Sequence, residues 1–360
     1  MSNFGEDIDL AADLWGTVVA VQANFYQVQL DSKGYSSQEG YPSLLCTRRS
    51  RLKKIGQTVM VGDRVLVEEP NYTDGQGVIA EVLPRKTELK RPPVANADRV
   101  LLVFALEEPS LDVWQLSRFL IAAELTQLSP YLCLNKKDLI PTVEQQQWRS
   151  RLLEWGYDSI ILSVAQNQGL EEIKQQLAGK ITIIAGPSGV GKSSLINKLI
   201  PAVNLRVGKV SGKLQRGRHT TRHVELFELP SGGLLADSPG FNKPELECNP
   251  IQLVRCFPEA RERLAMGQCQ FSDCLHRDEP NCIVRGDWER YEHYLVFLED
   301  AIARQEVLNR TPDAESNFKL KIKGSGERSY EPRLESKKYR RQSRRSRHQD
   351  LQTLYDEEDW

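Results

Sequence analysis

The apolar stretch Ile181-Thr-Ile-Ile-Ala185 leads directly into Gly186-Pro-Ser-Gly-Val-Gly-Lys-Ser193. A short apolar run predicts a buried strand, and the G-x-x-x-x-G-K-S pattern that follows predicts a loop entering a helix over Ser194–Leu199. In such a loop the main-chain N–H groups turn inward around an anion, and the helix N-terminus adds its positive dipole. The sequence therefore predicts a phosphate-binding P-loop between a strand and a helix.

The P-loop predicts how a nucleoside triphosphate is held. Lys192 is expected to reach the β- and γ-phosphates, and the hydroxyl of Ser193 is expected to bind Mg²⁺. The predicted phosphate contacts come from the whole loop and the first turn of the helix: Gly186, Pro187, Ser188, Gly189, Val190, Gly191, Lys192, Ser193 and Ser194.

A second motif, Asn135-Lys-Lys-Asp138, directly follows the apolar run Tyr131–Leu134. The carboxylate of Asp138 can accept hydrogen bonds from guanine N1–H and from the exocyclic N2 amine, whereas adenine offers neither donor there. Alone, four polar residues after a strand are equally typical of an ordinary loop. Combined with the P-loop, they predict a guanine site formed by Asn135, Lys136, Lys137 and Asp138, with Lys136 over the plane of the base.

Two further stretches predict the metal and γ-phosphate contacts. Asp237-Ser-Pro-Gly240 has the D-x-x-G form, which places Asp237 near Mg²⁺ through a water and the Gly240 N–H near the γ-phosphate. The Gly- and Arg-rich stretch Gly208–His223 contains two threonines, one of which is expected to complete the magnesium shell. We favour Thr221 over Thr220.

The order of these motifs predicts an unusual chain connectivity. Leu162-Ser-Val-Ala165 is expected to contact guanine O6 through its main chain, starting at Ser163. Residues 135–138 and 163–165, which contact the base, therefore precede the P-loop, whereas most GTPases place them after it. The sequence predicts a circularly permuted GTPase domain.

A parallel, doubly wound sheet is predicted for this domain, because apolar runs alternate with helical stretches such as Val113–Leu125. The apolar runs are Arg99–Ala105, Tyr131–Leu134, Ser159–Ser163 and Ile181–Ala185.

The first part of the chain has a different pattern. From Leu14 to about Leu83 apolar residues alternate with period two in short runs, Thr17–Leu30, Val59–Val67 and Gly77–Val82. This predicts a small all-β barrel or sandwich. Together with a basic loop at Thr47–Lys54, it suits an OB-type barrel, whose usual ligand is nucleic acid or oligosaccharide. A purely structural barrel fits the same pattern.

The C-terminal third predicts a metal site. Cys269-x4-Cys274-x-His276-x5-Cys282 sets three thiolates and one imidazole within fourteen residues. This ligand set suits one tetrahedral structural Zn²⁺. Redox-active or simply packed cysteines are the alternative. The surrounding segment predicts helices after Pro250, including a long amphipathic helix over Asp287–Leu308.

The end of the chain is strongly basic, although the whole chain has a net charge of only −1. Lys319–His348 contains 12 Lys and Arg against three Asp and Glu, which predicts a disordered arm suited to RNA. A solvated tail without a specific partner is the alternative. The acidic end, Asp356–Asp359, is a candidate competitor for this arm.

The sequence pattern predicts five segments and a cytoplasmic, monomeric protein. Neither a leader-like N-terminus nor an apolar stretch approaching a membrane span is evident, so we expect no membrane contact. The predicted segments are a disordered N-terminus (1–13), the OB-fold barrel (14–84), the permuted GTPase domain (85–246), a zinc-binding helical module (247–310) and the disordered basic arm with its acidic end (311–360).

Across residues 14–310 the chain resembles the small ribosomal subunit biogenesis GTPase A (RsgA) family, on the barrel, the permuted motifs, the His-Thr-Thr sequence at residues 219–221 and the Cys/His module. The resemblance implies a ribosome-stimulated GTPase that uses GTP and GDP with Mg²⁺. It also implies binding to the small (30S) ribosomal subunit and its 16S rRNA, and a role late in the maturation of that subunit.

The expected mechanism differs from that of many regulatory GTPases, which orient the attacking water with a Gln just after D-x-x-G. Here that position holds Phe241. We hypothesise that His219 orients the water, as the equivalent His is thought to do in the family; a surface histidine without a catalytic role is the alternative.

Another possible function is an RNA-binding assembly factor with a non-hydrolysing nucleotide sensor. An ATPase or small-molecule kinase is disfavoured, because Asp138 lacks donors on adenine.

Overall fold

The computed structural model describes residues 14–31, 43–201, 224–237, 244, 246–310, 318–322 and 328–332. The chain divides into two compact units, Met1–Ala301 and Ile302–Trp360, and each is described by itself. Among the described residues, none of the helices has the length and apolar character needed to cross a membrane.

The N-terminal strands close into a barrel, so the predicted all-β segment is a barrel rather than a sandwich. Its order is β1-β2-β3-β5-β4, with β1 pairing back onto β4. The β3–β5 pair is parallel and the other pairs are antiparallel. The strands are β1 (Leu14–Gln22), β2 (Phe25–Leu30), β3 (Ser43–Arg48), β4 (Arg64–Asn71) and β5 (Gln76–Val82).

Alternate side chains of these strands fill the barrel, because successive residues of a strand point to opposite faces. Val18, Val28, Val65 and Ile79 are completely buried there. The basic stretch Thr47–Lys54, predicted as a loop, instead completes β3 and then forms helix α1 (Ser50–Lys54). The basic composition of this stretch gave no indication that one of its residues, Leu52, is buried and packs into the barrel core.

The charged stretch after the barrel, Arg85–Pro93, has the composition of a linker, but it is fastened to the barrel. It contributes β6 (Glu88–Lys90), and β7 (Pro93–Ala95) completes a small hairpin. The guanidinium of Arg85 donates to both carboxylate oxygens of Asp63, at 2.8 and 3.0 Å. Asp63 is fully buried, so this ion pair satisfies a charge that would otherwise be costly to bury.

The central domain is a six-stranded sheet of order β10-β9-β8-β11-β13-β12. All neighbouring strands are parallel except β12, which runs antiparallel to β13 at one edge. Two predicted strands, Arg99–Ala105 and Ile181–Ala185, have the observed bounds. The strands are β8 (Arg99–Ala105), β9 (Ser129–Asn135), β10 (Ser159–Ile161), β11 (Ile181–Ala185), β12 (Leu226–Glu228) and β13 (Leu234–Asp237).

Helices cover both faces of this sheet, as the predicted doubly wound arrangement requires. On one face, Val103 of β8 belongs to a core shared with Leu177 and Leu195 from two of the helices. On the other, the ring of Phe104 contacts that of Phe119 edge-on, at 5.3 Å between centroids. The helices are α2 (Val113–Glu124), α3 (Thr142–Glu154), α4 (Leu170–Leu177) and α5 (Lys192–Leu199).

The barrel also contacts the edge of the sheet. Ala20 of β1 forms an antiparallel bridge with Glu225, the residue just before β12. Next to it, Gln29 Nε2 donates to Glu228 Oε2 at 2.5 Å. The barrel is thus hydrogen-bonded to the strand that follows residues 202–223.

Helices α6 (Pro250–Leu253), α7 (Pro258–Met266) and α8 (Tyr291–Arg310) follow the sheet. The long helix α8 begins four residues after the predicted start at Asp287. In the loop before it, the Trp288 indole donates to the Val284 carbonyl at 2.9 Å. The fully buried Arg290 pairs with Glu259 and stacks on Trp155 of the sheet domain. These contacts dock the helices onto the sheet domain.

The predicted disordered arm contains two paired strands, which corrects the prediction for residues 318–322 and 328–332. Strands β14 (Phe318–Ile322) and β15 (Arg328–Pro332) pair antiparallel. Apolar residues at 318, 320 and 322 alternate with lysines, which is a strand pattern that the basic composition concealed. Residues 333–360, including the acidic end, lie outside the described residues, as do residues 1–13.

Candidate nucleotide and metal sites

The P-loop sequence lies between β11 and α5, at the carboxyl edge of the sheet. Its three glycines have positive φ: 143° at Gly186, 84° at Gly189 and 98° at Gly191. A Cβ at Gly186 would lie 2.1 Å from the carbonyl oxygen of Val103, and one at Gly191 2.3 Å from Asn135 Nδ2. Both positions therefore require glycine, for conformation and for space.

Lys192, the first residue of α5, closes the P-loop on itself. Its ammonium donates to the carbonyl oxygens of Gly186 and Pro187, at 2.7 and 2.5 Å, and its side chain is buried. Ser193 follows and is half-buried, whereas Ser188 at the tip of the loop is exposed. The cation therefore lies inside the loop at the N-terminus of α5, where a phosphate would meet both the charge and the helix dipole.

Asn135, the last residue of β9, connects three loops through its side-chain amide. Nδ2 donates to the carbonyl of Val190 in the P-loop at 2.9 Å. Oδ1 accepts from the N–H of Val164 at 3.1 Å. Asn135 is only 2% exposed, so its amide holds the loops together inside the protein.

The residues after Asn135 turn sharply toward solvent. Lys136 has a left-handed conformation with φ of 63° and begins a 3-10 turn over Lys137–Leu139. The N–H of Lys137 donates to the Leu162 carbonyl at 3.2 Å, and Asp138 is exposed. The carboxylate predicted to read guanine is therefore open to an incoming base.

Ser163 is completely buried, and its polar groups are engaged within its own turn. Its N–H donates to the Gln168 carbonyl at 3.0 Å, and its Oγ accepts from the Gln166 N–H at 3.1 Å. Since the Val164 N–H donates to Asn135, Ala165 carries the N–H of this element for which the described residues offer no acceptor. The main-chain contact to guanine O6, expected from Ser163, stays a prediction for this element.

Part of the predicted magnesium and γ-phosphate site lies outside the described residues: His219, Thr220, Thr221, Gly240 and Phe241. The main chain of Asp237 is described. It ends β13 and pairs in register with Ile184 of β11, two residues before Gly186. The D-x-x-G motif therefore begins on the strand beside the P-loop strand.

The four predicted zinc ligands converge. Their ligand atoms all lie within 4.8 Å of one another. His276 Nδ1 is 3.5 Å from the Sγ of Cys269, 3.5 Å from that of Cys274 and 3.3 Å from that of Cys282. Tetrahedral Zn²⁺ with bonds of about 2.3 Å to sulfur and about 2.0 Å to nitrogen places S and N about 3.5 Å apart. The side chains present therefore fit tetrahedral zinc.

The sequence interpretation missed the residues that brace this cluster. The Glu279 carboxylate accepts from the main-chain N–H groups of Leu275 and Arg277, at 2.7 and 2.8 Å. Burial raises the pKa of Glu279, but hydrogen bonds from main-chain N–H groups outweigh it and lower the pKa to about 2. Tyr291 of α8 donates to the His276 carbonyl at 2.8 Å. A glutamate three residues after a ligand is the only sequence signal for this support.

Comparison with known proteins agrees with this geometry. The model of the RsgA GTPase family matches residues 82–247. A relative from Trichormus variabilis is 63% identical over 362 residues, which cover 96% of this chain and 98% of the relative. One from Microcystis aeruginosa is 60% identical over 354 residues, with the same two coverages. Both carry the name small ribosomal subunit biogenesis GTPase RsgA.

Two solved structures share the fold. YjeQ from Thermotoga maritima is 32% identical with a TM-score of 0.66, and the match covers 81% of this chain and 100% of that one. YloQ, described as a circularly permuted GTPase, is 31% identical with a TM-score of 0.67, over 83% of this chain and 99% of that one. The resemblance and the permuted connectivity predicted from the motif order are confirmed. This chain is a GTP-hydrolysing enzyme, and it belongs to the RsgA GTPase family.

Proposed function

We propose that this GTPase binds the small (30S) ribosomal subunit, that the ribosome stimulates its turnover, and that hydrolysis of GTP to GDP and phosphate drives its release late in subunit maturation. The observation that carries this is the conjunction of a permuted GTP site with relatives named for small ribosomal subunit biogenesis. The same proposal includes contact with 16S rRNA, a cytoplasmic location and a monomeric state.

Two groups of residues hold the nucleotide in this proposal, one at the base and one at the phosphates and Mg²⁺. Asp138 accepts from guanine N1–H and N2, Lys136 lies over the base, and the Ala165 N–H donates to O6. The P-loop amides and Lys192 hold the phosphates. The buried ammonium of Lys192, which points into the loop, supports this assignment. Ser193, Thr221 and, through water, Asp237 would hold Mg²⁺, which neutralises charge between the β- and γ-phosphates. The Gly240 N–H would meet the γ-phosphate.

Hydrolysis requires an oriented water, and Phe241 cannot hydrogen-bond to one through its side chain. We assign this role to His219, which the sequence places two residues before Thr221. A histidine on a segment that a partner orders would give low intrinsic turnover and strong stimulation. This assignment rests on sequence, because His219 lies outside the described residues.

The barrel is proposed as an OB-type RNA-binding module. Its closed order β1-β2-β3-β5-β4 with a parallel β3–β5 pair supports this assignment. Phe25, Leu45 and Tyr72 are each about half-exposed on its surface. Exposed aromatic rings suit stacking on unpaired bases, and the basic side chains of α1 suit contact with phosphates. The zinc module and the basic arm supply the remaining contacts.

The test is GTP turnover by the purified full chain, with and without isolated small subunits. Large subunits and free rRNA serve as controls, because both present phosphate without the small-subunit surface. We expect a selective rise of about tenfold or more with small subunits. Turnover that ignores small subunits, or rises equally with any RNA, contradicts the proposal.

A second arm of this experiment isolates His219. His219→Ala is expected to keep GDP affinity and to lose most of the stimulated turnover, because it leaves the base and phosphate contacts in place. His223→Ala, on the same segment, is the matched control and is expected to retain stimulation. Full stimulation in His219→Ala shows that another group orients the water.

A further inference from the structure

We infer that the loop joining β8 to α2, residues 106–112, positions Lys136 for the guanine base through the main-chain carbonyl of Glu108. This inference rests on the proposed placement of Lys136 over the base. It adds to that placement a third loop, besides the P-loop and the Asn135–Asp138 loop, as a determinant of nucleotide affinity.

The contact that carries the inference joins a side chain to a main-chain atom. Lys136 Nζ donates to the carbonyl oxygen of Glu108. A lysine ammonium lies at the end of four methylene groups, and fixing it costs rotamer entropy at the moment a ligand binds. Here the Glu108 carbonyl holds the ammonium in one place, which reduces the rotamer freedom that Lys136 has left to lose when a ligand binds.

The same loop touches the P-loop. Pro109 Cδ lies 3.8 Å from the point where a Cβ on Gly189 would lie, which places the proline ring beside the loop tip. The 106–112 loop therefore contacts both the ammonium of Lys136 and the tip of the P-loop. A displacement of this loop would move the lysine relative to the phosphates.

The loop is itself held at several points. The Leu106 N–H donates to the carbonyl of Asn135 at 3.0 Å. Ser110 Oγ donates to Glu107 Oε1 at 2.6 Å, and Asp112 caps α2 by accepting from the Trp114 N–H at 2.9 Å. Both ends are thereby fixed to elements of the sheet domain.

Glu108 adopts a conformation that few non-glycine residues occupy. Its φ is 53°, in the left-handed region. Strained backbone of this kind persists where the surroundings determine it and is concentrated at functional sites. In this loop the strained residue is the one whose carbonyl accepts from Lys136. Its side chain is exposed, which leaves the main chain as the functional part.

A double-mutant cycle tests the inference in the full chain, with GDP as the ligand. Pro109→Ala removes the ring that lies beside the tip of the P-loop, next to the residue whose carbonyl accepts from Lys136. Lys136→Met removes the ammonium and keeps most of the apolar stem. We expect Pro109→Ala to weaken GDP binding about two- to tenfold, the effect of one side chain that must be immobilised on binding. In the Lys136→Met background the same substitution should change the Kd by less than about twofold.

The control is Pro141→Ala, which alters an exposed proline at the N-terminus of α3 and should leave GDP affinity within about twofold in both backgrounds. Equal weakening by Pro109→Ala in both backgrounds overturns the inference, because the loop then acts independently of Lys136. No weakening in either background also overturns it. If Lys136→Met alone leaves the Kd for GDP unchanged, the placement of Lys136 over the base is wrong. That result would not contradict the conclusion that the chain hydrolyses GTP.

Discussion

The side-chain amide of Asn135 donates to the carbonyl of Val190 at 2.9 Å, although 55 residues separate them in sequence. This hydrogen bond joins the loop assigned to guanine to the loop assigned to phosphate. A substitution that displaces one loop should therefore also displace the other.

Asn135→Ala should weaken binding to the base and the phosphates together. The substitution leaves the buried Val190 carbonyl and Val164 N–H without their partners, and each such loss costs about 1–3 kcal/mol. We expect GDP affinity to fall at least about tenfold. Isothermal titration with GDP measures it, and thermal unfolding of the nucleotide-free variant controls for stability. Unchanged affinity would show that the two loops are held by other contacts.

Asp138→Asn should exchange the base preference from guanine to xanthine. Xanthine carries a carbonyl at C2 where guanine carries an amine, so an amide donor replaces the carboxylate acceptor. GTP binding should weaken about 10- to 100-fold, the effect of losing one hydrogen bond to a charged group. Competition between GTP and xanthosine triphosphate for a labelled nucleotide gives the ratio. A variant that loses both nucleotides points to a structural role for Asp138.

Gly186→Ala should abolish the P-loop conformation. A methyl group there meets the Val103 carbonyl oxygen at 2.1 Å, a contact that only backbone movement can relieve. Gly179→Ala is the matched control, because Gly179 also has a positive φ, of 68°, but a Cβ there has no neighbour within 4 Å. In both variants the alanine must adopt a positive φ, which destabilises the fold by about 1 kcal/mol. Only Gly186→Ala should also lose GDP binding, by at least about tenfold, and similar affinities in the two variants would contradict this.

The chain should contain about one equivalent of zinc, and Cys282→Ser should release it. Cys248→Ser, which changes a buried cysteine outside the cluster, should retain the metal. Loss of zinc should loosen the segment that Tyr291 and Tyr294 tie to α8, while the sheet domain still binds GDP. Metal analysis, tyrosine and tryptophan fluorescence and GDP titration on the same samples test all three statements. Zinc well below one equivalent in the wild-type protein refutes the site.

Glu289 should contribute a pH-dependent part of the docking between the turn before α8 and the end of α3. Burial raises its pKa, but hydrogen bonds from Arg151 and Trp155 outweigh burial and lower it. A lowered pKa stabilises the fold above the unfolded pKa of about 4.3 and loses that stabilisation as pH falls through the folded pKa. Because the side chain is 41% exposed, the effect is below about 1 kcal/mol. The unfolding free energies of wild type and Glu289→Gln should differ at pH 7 and converge as the pH falls through the lowered pKa that Glu289 has in the folded state.

The sequence predicted the strands of the sheet best where an apolar run ends at a turn residue. Arg99–Ala105 and Ile181–Ala185 have the predicted bounds, since local hydrophobicity alone determines them. The start of α8 was missed by four residues, because an amphipathic pattern predicts that a helix forms but does not specify its first residue. The paired strands at 318–322 and 328–332 were missed because composition was given more weight than alternation.

The site shows the same division. The P-loop and N-K-x-D residues are recognisable because each motif is contiguous in sequence. The Glu108 carbonyl leaves no signal, since any residue presents the same oxygen and only the fold brings it to Lys136. Glu279 is similar, because three main-chain N–H groups that no motif describes determine its role.

The order of strands in the sheet has a consequence for how the protein is made. Strand β8 pairs with β9 on one side and with β11 on the other, and β11 begins at Ile181, long after β8 ends at Ala105. At translation speeds of about 5–20 residues per second, the open edge of β8 waits several seconds for its second partner. Asn135 emerges 55 residues before Val190. The residues predicted to contact the base therefore leave the translating ribosome before the predicted phosphate loop, and we expect a growing chain to gain affinity for nucleotide only after Ser193 has emerged.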